Sequence, residues 1–224
     1  MKPLADPAGL REHFLQARAA AIERFRRTQD PDALSRALSR ASDRALRGLW
    51  RAARPGRQAA LLAVGGYGRG DQFPHSDVDL LIVRAKHADA ALLQRLEAFV
   101  GACWDCSLPI GHSVRTIAQC LEEARADLTV QTAMLEMRWL AGNRELAHEL
   151  AGTLAAELDM RAFFAAKLLE MRQRHSKYDD TPYSLEPNTK ESPGGLRDLH
   201  VILLIARAAG FGRSWPELQH RDLI

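Results

Sequence analysis

The sequence predicts an α+β protein, with a small α/β core set between an N-terminal helical segment and a longer C-terminal helical one. Three observations predict it. Two short apolar runs, "AALLAV" at 59–64 and "VDLLIV" at 78–83, lie close together and are bounded by turn residues, as buried strands are. Helical periodicity flanks them on both sides, and strand signals vanish after about residue 118. With 46% hydrophobic and 26% charged residues in 224 positions, the chain has the composition of a globular protein able to bury a core.

Asp6-Pro7 and Asp30-Pro31 each pair an N-cap residue with proline at the first helical position, so a helix is expected to begin at each. The first carries Leu10, Phe14, Ala17, Ala21 and Phe25 at helical spacing, the second Leu34, Leu38, Ala41, Ala45 and Leu49. "RPGRQ" at 54–58 ends this prelude. A strand follows at 59–64, then a glycine-rich turn, a second strand over 77–83 and a helix around 88–104. "PIGHSVRT" at 109–116 has strand character, and Thr116 caps the helix "IAQCLEEARAD". The stretches "LTVQTAMLEMRWL", "NRELAHELAGTLAAEL" and "MRAFFAAKLLEMRQRHSKY" read as successive helices, with Asn143 a cap between the first two. A polar loop with three prolines, "DDTPYSLEPNTKESPGG", leads into the helix "LRDLHVILLIARAA". The expected domains are a helical segment over 1–55, a core over 56–142 and a helical domain over 143–224. The ending "HRDLI" lacks a capping signal, which suggests a truncated helical domain.

The formal net charge is only +3, which gives weak support to nucleic-acid or membrane binding, and neither is expected as a partner. Arg36, Arg40, Arg44, Arg47 and Arg51 follow one another along the second helix and read as a solvated face. With no apolar signal core and no run of 18 apolar residues, the expected location is cytoplasmic, away from membrane. Cys103 and Cys106 form a single C-x-x-C with Cys120 distant, so reduced, buried thiols are expected rather than a metal site.

Chemistry concentrates in "AVGGYGRGDQFPHSDVDLLIV", residues 63–83. Along a strand, residues two apart face one side, so Asp77 and Asp79 point together while Val78 and Leu80 enter the core. A lone D-x-D is ordinarily two exposed acids; the preceding residues reverse that reading. Gly65 and Gly66, lacking Cβ, let backbone N–H groups approach a triphosphate, and Arg69 can offer its planar fork to phosphate oxygens. Paired carboxylates with substrate phosphates are how Mg²⁺ is ordinarily held. No G-K-[ST] follows the glycines, which excludes a Walker-type loop, and the spacing does not suit a dinucleotide fold.

A double glycine after an apolar strand, ten residues from Tyr67 to Ser76, then carboxylate-apolar-carboxylate-apolar resembles the DNA polymerase β-type nucleotidyltransferase superfamily. The longer string "GGYGRGDQFPHSDVDLLIV", with "WDCSLPIGHSVRT" at 104–116 and "NTKESPGGLRDLH" at 188–200, is similar to one branch, the bifunctional PII uridylyltransferase/uridylyl-removing (GlnD) family. The resemblance implies a small mixed sheet and transfer of UMP from UTP to a tyrosine hydroxyl of the nitrogen-regulatory protein PII. It implies Asp77 and Asp79 as catalytic metal ligands for Mg²⁺, or Mn²⁺ in its place, and Gly65, Gly66, Arg69 and Ser76 as nucleotide-binding residues.

The superfamily commonly takes a third carboxylate from a later strand, and "PIGHSVRT" has none, so Asp105 is the expected substitute. His112 and Ser113 read as strand residues, His175 and His200 as helix residues. The resemblance, which includes this segment, implies a place near the nucleotide for Lys190 and Arg197, and Gly194-Gly195 would let their loop approach the core. UMP removal and glutamine sensing, which the resemblance assigns to a His-Asp hydrolase domain and to ACT domains, are expected only outside this chain. A related nucleotidyltransferase with another acceptor, and an inert nucleotide-binding regulatory module, are the alternatives.

Overall fold

A computed structural model describes residues 7–183, 185–212 and 214–224. The first helix, α1 (Pro7–Thr28), begins where expected, although its Asp6 cap lies outside the described residues. The second, α2 (Pro31–Ala53), is capped by Asp30, whose carboxylate accepts from Ala33 N at 2.9 Å. Its buried stripe includes Leu34, Leu38, Ala41, Ala45 and Leu49, and it stops where Arg54 turns left-handed before Pro55. Gly48 lets α1 approach: a Cβ there would lie 2.8 Å from Leu10 Cδ2.

The core follows as β1 (Ala59–Ala63), α3 (Gly65–Arg69), β2 (Val78–Arg84), α4 (Ala90–Asp105), β3 (Ile110–Arg115), α5 (Ile117–Ala126), α6 (Leu128–Leu135) and β4 (Arg138–Gly142). The strands form one mixed sheet in the order β3-β2-β1-β4. Both neighbours of β1 run antiparallel to it, and β2 and β3 are parallel, with Asp79 opposite Gly111. Both faces are covered, which is why "AALLA" is buried at every position. Leu61, Leu80 and Ile82 pack on one side with Leu46, Leu49 and Phe99. Leu62, Leu81 and Val83 pack on the other with Cys120 and Met134, and with Leu150 of α7 (Arg144–Glu157).

The chain continues through α8 (Met160–Ser176), α9 (Leu196–Ala208) and the short α10 (Trp215–Gln219), which has no counterpart in the sequence reading. Thr116 caps α5 in a reciprocal capping box with Gln119, and Asn143 caps α7, both as expected. Cys103, Cys106 and Cys120 are buried and form no disulfide among the described residues. No described helix is long and apolar enough to cross a membrane.

Two expectations need correction. The glycine-rich stretch is not an open turn: Gly65–Arg69 forms a short helix, ended by Gly70 at φ 88°. "LTVQTAMLEMRWL" is not one helix, because α6 ends at Leu135 and Arg138–Gly142 adds a strand to the edge of β1. Helical propensity yields there to backbone pairing along that edge, and Gly142, at φ 80°, passes so close to Ala59 that a Cβ would sit 2.4 Å from its carbonyl oxygen.

The seat of α3 is equally tight. A Cβ on Gly68 would fall 2.1 Å from the Glu136 carbonyl oxygen and 3.1 Å from that of Ala63. Backbone atoms cannot swing aside as a side chain can, so Gly68→Ala should cost about 3 kcal/mol of stability in urea unfolding. By contrast, Gly152→Ala in α7, where a Cβ meets nothing within 4 Å, should gain about 0.5–1 kcal/mol. Equal urea midpoints for the two variants would contradict this packing.

Candidate nucleotidyltransferase site

Asp79 occupies the second position of β2, and Asp77 immediately precedes the strand. Val78 and Leu80 are buried in the core while both carboxylate residues stay exposed, the alternation that the strand period predicts. The carboxylate of Asp79 is framed by two glycines. A Cβ on Gly65 would lie 3.7 Å from its Oδ2, and one on Gly111 would lie 2.9 Å from its Oδ1. Gly65 also sits at φ 56°, in the left-handed region that disfavours other residues. Val64 N donates to Asp79 O at 3.1 Å, tying the entry of α3 to β2. Partial desolvation, and then the neighbouring Asp77 charge, push the Asp79 carboxyl above its ordinary range.

Arg69 closes α3 and is held from several sides. Its Nε donates to Asp71 at 2.7 Å and its Nη1 to the buried Glu136 carboxylate. His200 of α9 reaches the same acid, with Nε2 2.6 Å from Glu136 Oε1 and 2.7 Å from Arg69 Nη1. A proton on Nε2 makes Glu136 its partner, because the guanidinium can only donate. Arg69 Nη2 is left over, 3.6 Å from where a Cβ of Gly66 would be. Beneath them, Tyr67 donates to Asp43 Oδ1 at 2.6 Å, and Arg138 grips the same carboxylate at 2.7 and 3.0 Å. Burial, and then the Asp43 charge, raise the Tyr67 phenol well above its ordinary range.

The remaining expected residues fall in three places. Ser76 braces the turn before Asp77, its hydroxyl accepting from Phe73 N at 3.1 Å. Lys190 is exposed in the loop before α9, and Arg197 pairs with Glu191 at 3.1 Å. That loop is pinned by Asp198, which accepts from Arg174 at 2.6 Å, from His175 at 2.9 Å and from Gly194 N at 2.7 Å. Through His200, one turn beyond Arg197, α9 meets Arg69, so the loop and the glycine segment share a neighbourhood.

Asp105 is different: it is the exposed last residue of α4, and it does not join Asp77 and Asp79. Among the described residues no group of three or more His, Cys, Asp or Glu side chains is placed to hold a metal ion. The strand from which the resemblance led us to expect a third acid forms β3, next to β2, but it carries no acid, and Gly111 stands opposite Asp79, where a Cβ would lie 2.9 Å from the Asp79 Oδ1. Glu136 and Asp43 were missed by the sequence reading. An acid inside the apolar string "MLEMRWL" was the available signal for Glu136; Asp43, among arginines on a helix, gave none.

The strand, Gly-Gly helix and adjacent Asp-x-Asp strand define a nucleotidyltransferase class of protein, and residues 16–106 match the family described as "Putative nucleotidyltransferase DUF294". Residues 162–224 match the family GlnD PII-uridylyltransferase. The chain is 53% identical over 222 residues to the bifunctional uridylyltransferase/uridylyl-removing enzyme of Bordetella parapertussis, covering 99% of this chain and 26% of that protein. The enzyme of the same name from Burkholderia orbicola gives the same figures. That from Bordetella avium is 54% identical over 215 residues, covering 96% of this chain and 25% of that one. The chain thus belongs to the GlnD family, and it spans about a quarter of the length of the curated relatives it matches. A solved chain of the MntA-HpeT toxin-antitoxin is similar at a TM-score of 0.34 and 14% identity, over 62% of this chain and 96% of that one.

The raised Asp79 carboxyl sets a pH dependence. A carboxyl whose pKa is higher folded than unfolded favours the fold most at low pH, and the benefit is lost as pH rises through the unfolded and then the folded value. Asp79→Asn should therefore melt higher than wild type at pH 7 in metal-free buffer, with the gap closing below the ordinary carboxylate range. Millimolar Mg²⁺ should raise the melting temperature of wild type more than that of the variant. A variant that melts lower than wild type at pH 7 without metal would contradict the placement.

Proposed function

We propose that this chain carries the transfer site of a uridylyltransferase, which moves UMP from UTP to a tyrosine hydroxyl of the protein PII and releases pyrophosphate. The observation that carries the reading is the pair Asp77 and Asp79 at the start of β2, with Asp79 framed by Gly65 and Gly111. The names of the relatives support uridylyl as the group transferred. We read 56–142 as the transferase core, 1–55 as its helical support and 143–224 as a helical domain beside the nucleotide.

In this reaction the acceptor oxygen attacks the α-phosphorus. The new O–P bond forms as the bond to the bridging oxygen of the β-phosphate breaks, pyrophosphate departs, and the hydroxyl proton passes to solvent. A divalent cation, Mg²⁺ by preference, supplies phosphate polarisation and neutralises charge on the entering and leaving oxygens. The residues present fit such an ion. Asp77 and Asp79 carry like charges at one strand end, partial desolvation and then the Asp77 charge push the Asp79 carboxyl up, and two carboxylates plus substrate phosphates are an ordinary Mg²⁺ donor set.

Gly65 and Gly66 keep the backbone open to the triphosphate. Arg69, held through Nε and Nη1, offers Nη2 beside Gly66 as a phosphate donor. Ser76 shapes the approach to Asp77, and Lys190 and Arg197 flank the nucleotide from the α9 side. A nucleotide-binding module without transfer is the second reading, favoured by the lack, among the described residues, of a third acid grouped with Asp77 and Asp79.

Incubation with labelled UTP, Mg²⁺ and PII separates the two. Under the transfer reading PII becomes labelled, and Asp77→Asn and Asp79→Asn each lower the rate by about a thousandfold or more while the fold persists. A rate within about threefold of wild type in either variant would overturn the assignment. UTP binding with no labelling of PII would favour the second reading. Arg69→Ala should weaken UTP binding by about 1.5–3 kcal/mol in a calorimetric titration, and unchanged affinity would return Arg69 to a structural role.

A further inference from the structure

The arginine row on α2 is not a uniform solvated face. Arg47 donates to Leu140 O at 3.1 Å and pairs with Asp43, and Arg51 donates to Arg47 O. Arg36 and Arg40, one helical turn apart, instead border a cavity of about 310 Å³ between α2, the C-terminal end of α3 and the start of β4. Neither guanidinium makes a hydrogen bond or ion pair with any described residue.

The other charges of this cleft are largely spoken for. Arg138 is matched by Asp43, and Arg69 by Asp71 and Glu136. What remains is Arg36 and Arg40 against Asp32, a surplus of one positive charge. Ser39, on the same helix face between them, lines the cleft with a hydroxyl that bonds to no described residue. The uncommitted lining groups are thus mainly donors, and the cavity is of a size that takes a small ligand.

We propose that the α2–α3 cleft binds a small phosphate-bearing molecule, with Arg36 and Arg40 as its cationic clamp and Ser39 as a hydroxyl donor. Guanidinium groups at i and i+4 lie side by side on a helix, and their forks suit a multiply charged group with several acceptor oxygens. The cleft is separate from the Asp-x-Asp pair: Arg69 borders it, but Gly65, Gly66, Asp77 and Asp79 do not. Its occupancy is independent of the transferase reading.

The test is calorimetric titration of inorganic pyrophosphate into the Asp77→Asn chain, without divalent cation, so that the transfer site contributes least. Amide shifts are followed by NMR alongside. One saturable site is expected, with shifts concentrated at Ser35, Ser39 and Gly70. The exposed pair R36Q/R40Q should weaken binding at least about tenfold, while R44Q/R51Q on the same helix should stay within about twofold. Comparable losses in both double variants, or shifts that never saturate, would mean diffuse charge attraction and overturn the proposal. Succinate binding as tightly as pyrophosphate would overturn the phosphate assignment. Should R36Q/R40Q shift the urea midpoint, the wild-type shift map decides alone: shifts centred on Gly65, Gly66 and Asp79 would overturn the cleft, and shifts at Ser39 and Gly70 would support it.

Discussion

The contact on which the candidate site depends is the seating of Gly68 against the Glu136 carbonyl. Only a residue without a side chain can bring α3 this near to the turn before β4. That seating does two things at once. It holds the helix so that Gly65 lies over the Asp79 carboxylate, and it sets Arg69 beside the buried Glu136 side chain. Glu136 then reaches His200, so one backbone approach links the glycine segment, the carboxylate strand and the helix that follows the "SPGG" loop. Losing the close approach would shift all three together.

Beneath α3, Asp43 supports the same geometry from the opposite side. It accepts from Tyr67 of α3 and from Arg138 of β4, drawing the helical prelude against the sheet. A partly desolvated ion pair gains little net stability over apolar packing, because desolvation offsets much of the attraction. Removing Asp43 is still costly, since the buried Tyr67 phenol then loses its acceptor. The network therefore acts chiefly on placement: Tyr67 has one partner that satisfies its hydroxyl, and that fixes the rotation of α3 about its axis. The carboxylate pair at the start of β2 is the opposite arrangement. Its like charges lie at an exposed strand end, where repulsion is tolerable and where a cation can relieve it.

Most of the helices and three of the four strands were legible, because their signals are local. Asp30-Pro31, Thr116 with Gln119, and Asn143 announce helix starts through hydrogen bonds made within three residues. The alternation of Asp77, Val78, Asp79 and Leu80 announces which side chains are dry. β4 was not legible, since "RWLAG" has no periodicity of its own and becomes a strand only because β1 offers an unpaired edge beside it. The helical form of Gly65–Arg69 was hidden for a similar reason: three glycines in five residues argue against a helix until packing holds them in one.

The same division runs through the chemistry. Residue type and spacing by themselves determined the class of site, because two carboxylates two apart on a strand after a double glycine must share a face wherever that strand lies. That a third acid would come from a later strand was implied only by the family resemblance, and the strand beside β2 carries Gly111 opposite Asp79. Only the tertiary structure decided that Gly111 stands in that place, that Asp105 stays apart, and that Arg69 answers to Glu136 and His200, 67 and 131 residues away. Spacing along the chain specifies direction within one element. Distances between elements depend on how closely their backbones pack, and here the tightest approach at the site is made at Gly68, whose lack of a side chain leaves no periodic signal in the sequence.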